Sequence, residues 1–183
     1  MKNQLLLIVM IAVLAASCQK SDNGMSLSQD PQSGSALKNN GVPFKGAMLY
    51  TQSTTLNLPC NCGAMSTVGN FDGQGNITHF GLLKSKNKTC ASPIMAGSIQ
   101  IGNHIVIECG SFVAANGDEI YVNIAPYDIY FGNTAASGTM SAEFAGGTGR
   151  FANATGSFTG TITVPYSNPN TVSLTNINGT INY

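Results

Sequence analysis

Four cysteines in the body of the chain, Cys60, Cys62, Cys90 and Cys109, are its main stock of reactive side chains. An even number fits two disulfides, which four cysteines can form in three ways. Cys60 and Cys62 are too close in sequence for the usual disulfide geometry. Each is therefore expected to reach Cys90 or Cys109, tying the segment before the second strand to the wall of the fold at about 2–4 kcal/mol per bridge. A zinc site completed by His79 or His104 is the functional alternative, but the cysteines lack the paired C-x-x-C spacing of structural zinc sites. Reduced thiols are the third reading. No metal and no cofactor is expected.

The other candidates are aromatic or titratable. His79 shares a strand phase with Ile77, Gly81 and Leu83. If that face lines an interior, His79 is placed to contact a ligand or to donate a proton, while the plainer reading is a hydrogen-bonded strand histidine. His104 follows a turn and is expected to be exposed. Glu108 is in phase with Val106, opposite Ile105, Ile107 and Cys109, and is expected to face outward. Tyr127 and Tyr130 belong to the densest aromatic run, 126–131, and are candidates for lining a cavity mouth. No catalytic residue is assigned, because no Ser/His/Asp order, paired carboxylates or phosphate loop stands out. The glycines at 73, 75, 146, 147 and 149 open no helix and read as turn glycines.

The elements that must position these residues are strands. In 143–164 both arms alternate with a period of two: Met140, Ala142 and Phe144 on one side, Phe158, Gly160, Ile162 and Val164 on the other. Gly146, Gly147, Thr148 and Gly149 reverse the chain between them, and 150–156 breaks the pattern as a bulge or short turn. Strand patterns recur over 45–52, 64–70, 76–85, 94–101, 104–114, 119–131 with a break at Pro126, 138–145, 156–165 and 171–183. Asp72–Gly73–Gln74–Gly75, Gly102–Asn103 and Asn116–Gly117–Asp118 read as hairpin turns. Short links make the neighbours antiparallel. The last segment reverses phase near Thr175 or Asn176, which predicts a bulge, and is expected to pair with the first strand around Met48 and Tyr50. The expectation is an all-β, eight-stranded antiparallel up-and-down barrel, with a two-sheet sandwich as the competing architecture.

Ahead of the strands, Lys2, the apolar run 5–16 and the small residues Ala15, Ala16 and Ser17 form a secretory signal, expected to be removed as 1–17. The run LAASC resembles a bacterial lipobox, although its leucine stands four residues before the cysteine. The resemblance makes Cys18 the lipid-attached first residue of the mature chain. Residues 18–40, rich in Ser, Gln, Asn and Asp, read as an anchor and linker, and 41–183 as one domain. The expected location is the outer membrane or cell surface, with the membrane as a partner through the anchor. Eight basic and eight acidic residues leave a net charge of zero, so nucleic acid is not an expected partner.

The segments 69–83, 112–120 and 144–164, the last carrying Gly-Gly-Thr-Gly-Arg-Phe and then Ala-Thr-Gly, resemble bacterial secreted proteins with a calycin-like barrel related to allene oxide cyclase and dirigent proteins. The resemblance implies an eight-stranded barrel with a central cavity. It brings no enzyme activity, because no catalytic residue of the cyclases can be matched here. The favoured expectation is a lipid-anchored envelope protein binding a small apolar or amphipathic ligand, or a surface partner, without catalysis. The alternatives are an isomerase or cyclase using the cavity, and a structural or adhesive surface module.

Overall fold

A computed structural model describes residues 41–53 and 67–183. Nine strands follow in order: β1 (Val42–Gln52), β2 (Thr67–Ile77), β3 (Gly81–Ala96), β4 (Ile99–Val113), β5 (Glu119–Ile124), β6 (Tyr127–Phe131), β7 (Ala135–Gly147), β8 (Thr155–Pro165) and β9 (Thr171–Asn182). All pairings are antiparallel, and the β3–β4 ladder closes the sheet into a barrel. β5 and β6 form one stave in two pieces. They keep a common register against β4, Ser111 opposite Tyr121 and Ile105 opposite Tyr127. The interruption at Ala125–Pro126 follows from proline, which cannot donate to a ladder. Eight staves therefore make the wall, and the sandwich alternative falls away.

Closure is made by β9 against β1, from Val42 opposite Ile181 to Thr51 opposite Thr171. The register shifts once on each side of β9, where Asn176 adopts a left-handed φ of 52°. This bulge brings Leu174 and Ile177 to the same inner face. The β7–β8 hairpin also follows its sequence pattern, with the short 3-10 turn Gly149–Phe151 inside its connection.

Several expected boundaries differ, among them the strand expected over 94–101, which is two strand ends joined by a turn. The pattern at 76–85 is broken by the turn Thr78–Phe80, with His79 at a φ of 67°. Asp72–Gly75 lies within β2, because Gly73 and Gly75 serve close approach and not reversal. A Cβ on Gly73 would lie 2.4 Å from the Tyr50 ring, and one on Gly75 would lie 2.0 Å from the Ala47 carbonyl oxygen. Gly102–Asn103 likewise lies within β4, where a Cβ on Gly102 would meet the Ile129 carbonyl oxygen at 2.3 Å. The true reversal is Gly97–Ser98, where Gly97 has a φ of 64°.

The barrel is packed unequally along its axis. At the end holding the start of β1 and the end of β9, Phe44 lies 5.0 Å from both Phe144 and Phe158, centroid to centroid. Phe80, Phe151 and Tyr183 close that end, with the Arg150 guanidinium 4.6 Å from the Phe151 ring centre. Burial of these aromatics supplies the main cohesive contribution here. Residues 38–183 form one compact unit, which holds all the strands and buried core side chains of the described residues.

Candidate functional site

The other half of the barrel is open. A cavity of about 310 Å³ runs from its middle to the rim, where exposed Gln52, Thr67 and Pro169 lie among its lining residues. Phe71, Ile105, Ile107, Met140, Ile162 and Leu174 make apolar walls, and no charged side chain lines it among the described residues. Alternation explains the lining. On β3 the outward Lys84, Lys86 and Lys88 fix the opposite phase, Ser85, Asn87 and Thr89, as inward.

This phase puts polar groups in an apolar lumen. Ser85 and Asn87 are buried, and the Ser85 hydroxyl donates to Asn87 Oδ1 at 3.0 Å. The buried Tyr50 hydroxyl lies 3.5 Å from Met48 Sδ. Burial pushes the Tyr50 phenol up to about 12, against the smaller opposing effect of hydrogen bonds to Ser85 and Asn87. Tyr127 projects inward from β6, and burial, with Tyr50 nearby, raises its phenol well above the ordinary value. Near neutral pH the cavity therefore presents two protonated phenols and an amide, with further polar groups at Thr89 and Asn103. It can hydrogen-bond a neutral oxygen or nitrogen function. Its described lining holds no cation to balance an ionised ligand head.

No family model matches the chain, and neither a curated protein nor a solved structure matches it.

Of the residues singled out in the sequence, Tyr127 lines the cavity. Tyr130 does not, because its neighbour Ile129 takes the inward phase; Tyr130 is exposed, its hydroxyl donating to Asp128 Oδ2 at 3.3 Å. His79 is exposed at the turn on the packed end, since the chain reverses there and the strand phase that pointed it inward does not continue. His104 stands in mid-strand on β4, partly exposed, and its Nδ1 donates to Asp128 Oδ1 at 2.7 Å. Glu108 is exposed as expected. It is also the extra residue at a β4 register shift, which turns Cys109 outward to pair with Lys88. Cys90 is outward too, between the cavity-lining Thr89 and Ala91, yet it is fully buried. Cys60, Cys62 and the lipid-attachment candidate Cys18 lie outside the described residues. No group of three or more metal-ligating side chains gathers among the described residues. No described helix is long and apolar enough to cross a membrane.

Tyr50, Ser85 and Asn87 are the site residues that the sequence reading passed over. The signal was the Lys-x-Lys-x-Lys alternation at 84–88, which continues the strand past Ser85 and marks its polar inner face.

Proposed function

We propose that this protein is an exported, lipid-anchored envelope barrel that holds one small, uncharged, amphipathic molecule in its open half without transforming it. The observation that carries this reading is the cavity of about 310 Å³, apolar in its walls and furnished with Tyr50, Asn87 and Tyr127. Such a volume, at the low end of ligand pockets, suits a molecule of about 10–15 non-hydrogen atoms. Its apolar body would lie against the isoleucines and its carbonyl or hydroxyl against the phenols and amide. Two phenols kept protonated far above neutral pH favour binding over proton transfer, which sets the isomerase or cyclase alternative second. An adhesive module would leave the cavity without a role.

The envelope setting is part of the proposal, supported by the signal and lipobox-like run ending at Cys18. So is an oxidised framework joining Cys90 and Cys109 to Cys60 and Cys62, supported by Cys90 and Cys109 being bonded and not free thiols. The similarity of 144–164 to allene oxide cyclase barrel proteins supports a calycin-like assignment.

The ligand reading is tested by titrating the protein with the neutral dye 1-aminoanthracene and with anthracene-9-carboxylate. Saturable fluorescence enhancement is expected with the first, at least about tenfold weaker binding with the second, and loss of both in Thr89→Phe, which fills the lumen. Equal binding of the two dyes, or binding unchanged in Thr89→Phe, would overturn it. The anchor is tested separately: Cys18→Ala should abolish fatty-acid labelling, and unchanged labelling sinks that claim.

A further inference from the structure

Among the described residues, the strand tips and turns around the cavity mouth carry no charge. Within 67–71, 89–103, 129–142 and 159–176, the strand ends and turns around the mouth, there is no Asp, Glu, Lys or Arg. Carboxylates stand next to this stretch, among them the exposed Asp72, opposite Thr51 and beside Phe71, and Asp128, which is engaged by His104. The charges of the turns lie at the packed end, on Asp118 and Arg150.

The same end exposes large apolar side chains. β3 pairs with β2 only as far as Ala91, yet the β3–β4 ladder continues to Ala96 opposite Ile99. Its last turn therefore stands about 16 Å beyond β2, at the usual rise per strand residue. Ile99 is 69% exposed and Met95 51%. Tyr130, Phe131 and Tyr166 are also exposed beside the mouth, and the Tyr166 hydroxyl ties the β8–β9 turn to the Gly132 carbonyl at 3.2 Å.

We infer that this end docks on a lipid surface, with Met95, Ile99 and Phe131 entering the interfacial layer and the cavity mouth facing the bilayer. Immersing charged groups is costly, and the described strand tips and turns of this rim have none to immerse. Tyrosines at its edge suit the headgroup boundary, where a ring is apolar and its hydroxyl is wet. A protein partner would be expected to meet charged or complementary groups around an apolar centre, and this rim offers none. The inference rests on the ligand reading for its purpose: an uncharged amphiphile concentrates in lipid, so a mouth against the bilayer exchanges its ligand without crossing water.

The chain contains no tryptophan, so one introduced residue reports its own surroundings. Two full-length variants, Ile99→Trp at the mouth and Leu82→Trp, also exposed but at the packed end, are mixed with phosphatidylcholine vesicles containing brominated acyl chains. Bromine quenching at least about threefold greater for Ile99→Trp is expected, unchanged when a third of the lipid is phosphatidylglycerol. In Ile99→Trp, adding Met95→Asp should remove that excess while the melting temperature stays the same. Equal quenching of the two variants, or none, overturns the inference. So does a shift in the Ile99→Trp emission that follows protein concentration without vesicles, which marks a second copy as the occupant. Dye binding without quenching refutes docking alone, whereas quenching without 1-aminoanthracene binding refutes the ligand reading alone.

Discussion

Tyr50 shows how one buried phenol links fold and site. Its proton is held to about pH 12 in the folded barrel, whereas the unfolded chain releases it near pH 10. Between those values the unfolded state binds fewer protons than the folded one, so stability falls as pH rises. The loss from Tyr50 reaches about 2–3 kcal/mol, and Tyr127 acts in the same direction. Urea unfolding at pH 9 to 12 should show this decline, and Tyr50→Phe should flatten it. A decline that is the same in Tyr50→Phe assigns it to other groups. At this scale the aromatic run at 126–131 pointed to Tyr127 and Tyr130 alike, and its density did not tell which of the two turns inward. The sequence disclosed the Ser85 and Asn87 pair only to a reading that lets the lysines at 84, 86 and 88 extend the strand. His79 misled because an alternating pattern continues across a two-strand reversal as readily as along one strand, and only the left-handed φ at its position marks the turn.

Glycine does two jobs in the elements, and substitutions separate them. Gly75→Ala places a Cβ against the Ala47 backbone and should cost about 2–3 kcal/mol or more. Gly97→Ala enters open space at a φ of 64° and should cost about 1–2 kcal/mol. His79→Gly should stabilise by up to about 1 kcal/mol and leave 1-aminoanthracene binding intact. A fall in dye affinity would return His79 to the site. Chemical denaturation of the three variants checks the order. The β7–β8 hairpin, the bulge at Asn176 and the β1–β9 closure were legible because their alternation is clean and phase changes leave a countable trace. The turns expected at 72–75 and 102–103 were not, since a glycine required by a neighbouring backbone looks the same in sequence as one required by a turn.

Across the molecule, the filled and open halves predict different responses to volume. Phe158→Ala, in the aromatic end, should cost about 3–5 kcal/mol. Thr89→Phe should leave the melting temperature near that of the parent while closing the lumen. Thermal melts of the pair, read with dye binding, test whether stability and site are housed separately. The divided stave adds a property of another kind. Between Ser111 opposite Tyr121 and Ile105 opposite Tyr127, the residues Val106–Gly110 of β4 are laddered to β3 on one side and not to the divided stave on the other. A closed barrel is ordinarily a rigid hoop, but here the divided stave has no ladder to β4 over that interval or to β7 over 138–141. Under strain from an oversized guest the hoop has a place to spread, so amide hydrogen exchange should be faster along Val106–Gly110, paired on one side, than in β8, paired on both, and the bore should behave as adjustable in width.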